Sequence, residues 1–126
     1  MGKCSVKMLS TNFASWEFKC KCCAVIVIDE SLIAALQELR GRAREPIRVL
    51  SGYRCKYHNE AVGGKINSQH ITGKAADITI NGWSVREMFL MARSVPEFFN
   101  GGIGQYLSKG FIHVDVRGEQ ARWREL

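Results

Sequence analysis

No stretch of this chain approaches the roughly 18 to 20 unbroken apolar residues needed to cross a bilayer, so membrane insertion is not expected. The longest apolar run, Cys22 to Ile28, has the length of a strand or core segment. The opening Met1-Gly2-Lys3-Cys4-Ser5 lacks the following apolar stretch of about 7 to 15 residues that marks a secretory signal. Synthesis in the cytoplasm is therefore expected, and a target outside the membrane would require a separate factor to let the protein out. Internal repeats, low-complexity tracts and linkers are also missing, as are zinc-finger and RNA-recognition signatures. A second Cys-x-x-Cys to complete a standard structural zinc site is lacking too, although Cys20 and Cys23 form one such pair.

What is present is ordinary globular material: 126 residues, 46% hydrophobic and 24% charged, enough for one compact domain with a buried core. One domain over residues 1–126 is expected, with 1–28 as a cysteine- and aromatic-rich segment packed on it through Phe13, Trp16 and Phe18. The net charge of +6 favours polyanionic surroundings. Its basic residues are spread along the chain instead of gathering on one reading helix, so a nucleic-acid partner is not expected. Five cysteines cannot all pair internally; with Cys4 and Cys55 apart from the Cys20, Cys22, Cys23 group, free thiols, a partial disulfide and a second metal all stay open.

The pattern along the chain mixes helices and strands. Asp29 or Ser31 can cap a helix to about Arg44 with Leu32, Leu36 and Leu39 on one face, and Pro46 stops it. Ile47 to Leu50 reads as a strand ending at Ser51-Gly52, Lys56 to Val62 as a short helix closed by Gly63-Gly64, and Gly64 to Thr72 as a polar loop. Ala75 to Ile80 is a strand that turns Ala76, Ile78 and Ile80 to the core and Asp77 to the other face. Ser84-Val85-Arg86-Glu87 is a capping box that starts a helix through about Ser94. A hairpin then joins Ile103 to Tyr106 with Phe111 to Arg117, in which His113 and Asp115 oppose Ile112, Val114 and Val116.

If the strands bearing Asp77 and His113 share an antiparallel sheet, their polar faces point into one cleft, and His70 arrives from the preceding loop. Two imidazoles and one carboxylate form a three-ligand zinc set with a position left for water. Zinc so bound lowers the pKa of its water to about 7 and polarises a carbonyl, which suits amide hydrolysis. Asp115, one strand repeat beyond His113, is read as the general base, with a role in orienting an imidazole or pairing an arginine as the alternative. Arg54, after the strand that ends at Ser51-Gly52, can offer a guanidinium to a peptide carboxylate or a developing oxyanion. Ser68 and Gln69 are candidate substrate contacts, with loop capping as their alternative. His58 is left out of the metal set, and Trp123 is read as packing the C-terminal tail, with stacking on substrate as the alternative.

The run Ser-x-His-x-x-Gly-x-Ala-x-Asp from Ser68 to Asp77 resembles the zinc motif of the D-alanyl-D-alanine carboxypeptidase family of metallopeptidases, which act on peptidoglycan. Ser51-Gly52-Tyr53-Arg54 with His58-Asn59 resembles that family's substrate-arginine loop. Gly101-Gly102-Ile103-Gly104 through Phe111-Ile112-His113-Val114-Asp115 resembles its closing strand, and Phe18-Lys19-Cys20-Lys21-Cys22 the front of its short branch, common in phages and bacteria. The resemblance implies zinc on His70, Asp77 and His113 and substrate carboxylate on Arg54. It also implies an α+β fold of hedgehog/DD-peptidase type, with helices on one side of a small antiparallel sheet and zinc on the other. Two departures stand out: relatives with an acid three residues before the last ligand have Gly110 here, and those with a histidine two before it have Phe111. The expectation is a monomeric zinc peptidase of stem peptides, of carboxypeptidase or endopeptidase type, plausible as a phage lysis enzyme. The alternative is a non-catalytic wall-binding or structural module that keeps zinc for stability, as the same fold does in signalling domains.

Overall fold

The computed structural model describes residues 7–65 and 68–126; Cys4, and positions 66 and 67 of the expected polar loop, lie outside the described residues. The order is β1 (Met8–Ser10), β2 (Phe13–Ala14), a 3-10 turn (Ser15–Phe18), α1 (Glu30–Ala43), β3 (Ile47–Ser51), α2 (Lys56–Ala61), a second 3-10 turn (Gln69–Thr72), β4 (Ala75–Ile80), α3 (Val85–Arg93), α4 (Pro96–Phe99), β5 (Gly102–Tyr106), β6 (Phe111–Asp115) and β7 (Ala121–Glu125). The fold is α+β. Its main sheet has the order β3-β4-β6-β5-β7 and is antiparallel throughout except at its edge, where β7 runs parallel to β5.

Local chemistry sets the boundaries. Asp29 caps α1 by accepting the Ser31 N–H at 2.9 Å, Arg40 and Arg42 sit in its last turn, and Arg44 ends it in the left-handed region at φ 58°. Ser84 and Glu87 form the expected reciprocal cap of α3. The Asp-Gly-free turn at Lys109-Gly110 closes the β5–β6 hairpin with Gly110 at φ 76°, a conformation cheap for glycine alone.

The core lies between the helices and one face of the sheet. Leu32, Leu36 and Leu39 of α1, Met88 and Ala92 of α3 and Phe98 of α4 meet Ala76, Ile78 and Ile80 of β4 and Ile112 and Val114 of β6, with Phe13 and Phe18 packed into the same cluster. Strand alternation then sends the intervening residues, Asp77 and His113, to the other face. Local expectations are corrected at several points. Cys22 to Ile28 forms no strand, and only its last residue, Ile28, packs against the core; Val25, Ile26 and Val27 are exposed in an irregular segment. Trp16 is exposed and pins nothing. The tail around Trp123 is a sheet strand, and the loop after α3 holds the short helix α4, whose first residue Pro96 has the φ that a helix start requires.

Candidate metal centre

One row of residues crosses the whole polar face. Register pairs Ser51 of β3 with Asp77 of β4, Asp77 with His113 of β6, His113 with Gly104 of β5, and Gly104 with Trp123 of β7. Directly paired residues present their side chains on the same face a few ångströms apart, so the antiparallel β4–β6 pairing alone brings Asp77 against His113. His70 comes from the 3-10 turn that precedes β4. Ser68 caps that turn, accepting the His70 N–H at 3.2 Å, and Gly73 ends it at φ 73°. Ser68 therefore acts locally as the cap that the alternative reading described.

The donor atoms of His70, Asp77 and His113 lie within 4.8 Å of one another. All three residues are nearly buried, 2%, 6% and 6% exposed. His70 Nε2 lies 3.2 Å and His113 Nδ1 3.3 Å from the same Asp77 oxygen, Oδ1. The outer nitrogen of each ring is already committed. His70 Nδ1 donates to the Gly52 carbonyl at 2.7 Å, and a carbonyl can only accept, so the lone pair of a neutral His70 falls on Nε2, facing Asp77. His113 Nε2 donates to Asp115 Oδ2 at 2.7 Å, which leaves Nδ1 facing inward. A histidine whose far nitrogen is held by a carbonyl or carboxylate while the near one faces a carboxylate is the usual arrangement of an imidazole ligand. The set of two nitrogens and one oxygen fits zinc.

Electrostatics follow from this packing. Burial alone would raise the Asp77 pKa, but the adjacent His113 and His70 rings, which in their protonated forms donate to it and carry positive charge, outweigh burial and hold the carboxyl well below the usual range. For His113 burial would lower the pKa, yet Asp115 and Asp77 hold it above its ordinary value. Asp115 is likewise depressed, because bonds from His113 and Arg117 overcome its burial.

Asp115 is fully buried, and both its oxygens are occupied. Oδ1 accepts the Gly102 N–H at 2.8 Å and the Arg117 N–H at 3.1 Å; Oδ2 accepts from His113 and from Arg117 Nη2, both at 2.7 Å. It stands behind His113 with no oxygen turned to the cleft. In that placement it orients the His113 imidazole and pairs Arg117.

Arg54 lies in front of the cluster. Its Nη2 donates to Asp77 Oδ2 at 3.1 Å, Nη1 to Asn59 Oδ1 at 3.2 Å and Nε to Ser51 Oγ at 3.3 Å. Asn59, named from the sequence only as part of the arginine-loop resemblance and given no role there, is buried and braced in turn by donating to the Lys65 carbonyl at 2.7 Å. On the other side the Trp123 ring lies 4.8 Å from that of His113. Gly104 makes this possible: a Cβ there would sit 2.3 Å from the indole. The signal for Trp123 was the side-chain-free Gly104, opposite a strand that spacing does not reveal, and the signal for Asn59 was Gly64, where a Cβ would collide with the Asn59 side chain. Gln69 lies beside His70 and lends its carbonyl to the Lys74 N–H, and His58 stays outside the cluster on α2. A hollow of about 300 Å³ between Pro96, Glu97, Val116 and Gly118 contains none of these donors.

Fold and site together define a small α+β domain with a two-histidine, one-carboxylate donor set on the polar face of its sheet. The profile of the Peptidase M15 family matches residues 9–115, a span that holds all three donors, Arg54 and Asp115. The chain belongs to that family. It is also 35% identical over 94 residues to a Haemophilus influenzae protein named as a probable peptidoglycan L,D-endopeptidase, MepK. That match covers 71% of this chain and 48% of the relative, so the chain spans about half the length of the curated protein it matches.

Proposed function

We propose that this protein is a zinc-dependent peptidase that hydrolyses stem peptides of bacterial peptidoglycan, with His70, Asp77 and His113 as metal ligands. The observation that carries the reading is the convergence of three inward donor atoms whose outer partners are already fixed by Gly52, Asp115 and Arg54. Membership of the peptidase M15 family supports hydrolysis of a peptide bond, and the relative's name supports a cell-wall substrate. Bound zinc would supply a polarising charge at the scissile carbonyl and a water acidic enough to serve as nucleophile.

The chain's own residues do the positioning. Gly52 fixes the tautomer of His70, and Asp115 acts through His113 as a positioning residue. Arg54 carries five N–H donors, of which three are used by Asp77, Asn59 and Ser51. Two are left to grip a carboxylate or carbonyl of the substrate. Substrate approaches between Arg54 and Trp123, since these flank the cluster on opposite sides. The charge of +6 favours residence on an anionic wall, an attraction that salt weakens. Among the described residues no helix is long and apolar enough to cross a membrane, and we place the site of action at the cell wall.

The test is digestion of purified peptidoglycan with protein stripped of metal by a chelator, then reloaded with zinc, followed by mass spectrometry of the soluble products. New amino termini or free D-alanine, present only with zinc, are expected, and the product identifies carboxypeptidase or endopeptidase cleavage. Binding to peptidoglycan without any product would refute the proposal.

A further inference from the structure

A second cluster lies on the other side of the Arg54 loop. The Sγ atoms of Cys20, Cys22, Cys23 and Cys55 are all within 4.8 Å of one another, with Cys22 and Cys55 at 3.3 Å. Four thiolates at about 2.3 Å from a tetrahedral zinc stand about 3.8 Å apart, so the four sulfurs already occupy a volume of the right size. We propose that these cysteines form a structural metal centre for zinc or a similarly thiophilic divalent ion, tying the N-terminal segment to the loop that carries Arg54.

The backbone is folded to deliver the thiols to one point. Cys20 N–H donates to the Val25 carbonyl and Ala24 N–H to the Cys20 carbonyl, both at 2.8 Å, closing a tight loop in which Ala24 takes the left-handed region at φ 61°. This reversal turns three thiols of a six-residue segment inward. Cys55 enters from the start of α2, which it caps; its N–H points at Cys20 Sγ at 3.4 Å, while its own Sγ accepts the His58 N–H at 3.4 Å. N–H groups aimed at sulfur are the outer partners that a thiolate centre uses to spread its charge. Cys22 and Cys23 are exposed, so an ion can reach the cluster and core packing does not explain them.

The location gives the centre a use. Tyr53 N–H donates to the Phe18 carbonyl at 2.9 Å, and Gly52 packs so closely on Phe18 that a Cβ would come within 2.6 Å of its Cα. Gly52 is the carbonyl that orients His70, and Arg54 is the next residue but one. A metal on the four sulfurs would brace both without touching substrate.

The experiment counts metal in the full chain, purified with reductant and zinc and then exchanged with cobalt. Two ions per chain are expected in the wild type. The double variant His70→Ala, His113→Ala should keep one, together with thiolate-to-cobalt charge-transfer absorption in the near ultraviolet; Cys22→Ser with Cys23→Ser should lose that absorption and keep the other ion. The wild-type count and the spectrum of the histidine variant remain decisive even if the cysteine variant fails to fold. A count of one that vanishes with the two histidines, or no thiolate–cobalt absorption in fully reduced protein, overturns the proposal. A count of one with the thiolate absorption intact would uphold it and instead remove the ligand set proposed for catalysis.

Discussion

Asp115→Asn separates a positioning role from a base. The substitution keeps the shape and removes the charge from a fully buried side chain that accepts from Gly102, Arg117 and His113. Whichever oxygen becomes the amide nitrogen, N–H groups then face N–H groups: Gly102 and Arg117 on one side, His113 and Arg117 on the other. An arginine only partly reached by solvent also loses its partner. Breaking a buried, hydrogen-bonded ion pair on one side costs about 3–5 kcal/mol, and loss of the group that orients a ligand imidazole weakens metal binding by roughly 10- to 100-fold. Zinc affinity, measured by competition with a chromophoric chelator, should fall in that range, while peptidoglycan hydrolysis at saturating zinc should return to within about tenfold of wild type. A general base would behave otherwise. Its removal costs about 10²- to 10⁴-fold in rate whatever the zinc concentration. Unchanged zinc affinity together with a rate loss of that size at saturating metal would refute the positioning argument.

Arg54→Ala should raise KM on stem peptides by at least about tenfold, because the guanidinium holds Asp77 and offers the remaining donors to substrate; Arg54→Lys should recover little, since one ammonium cannot span Ser51, Asn59 and Asp77, and steady-state kinetics of both variants provide the check. Gly104→Ala should displace Trp123 from His113 at a cost of about 1–3 kcal/mol, seen as a change in Trp123 fluorescence that disappears in a Trp123→Phe background. Metal-free protein should lose stability in acid with a sign fixed by Asp115. Its folded pKa is depressed below the unfolded value of about 3.9, so its contribution is complete above that pH and is lost as pH falls. Urea denaturation of the metal-free wild type and of Asp115→Asn between about pH 5 and pH 2, the range in which the unfolded carboxyl takes up its proton, should show the shallower acid limb in the variant; equal slopes would contradict the depressed pKa.

Much of the site was legible because strand alternation is a strong signal. Apolar Ala76, Ile78 and Ile80 fix the face of Asp77, and Ile112 and Val114 fix that of His113, so the two polar residues had to leave the core on the same side once their strands paired. The capping residues Asp29 and Ser84 marked two helix starts for a similar reason: each side chain satisfies an N–H in its own turn. The apolar run Cys22 to Ile28 misled because only Ile28 of it reaches the core; a thiol-rich turn governs the path of the rest.

The sequence by itself determined the α+β character, the helix caps, the direction in which each strand presents its acid or imidazole, and the motif that names the family. Those are local properties, set within a few residues. Tertiary structure alone decided that Trp123 belongs to a parallel edge strand over Gly104, that Asp115 is sealed behind His113, that Asn59 braces Arg54, and that Cys55 joins three thiols 32 to 35 positions earlier. Each of these is a pairing between distant segments, and no residue's own chemistry specifies a distant partner until the sheet register has closed.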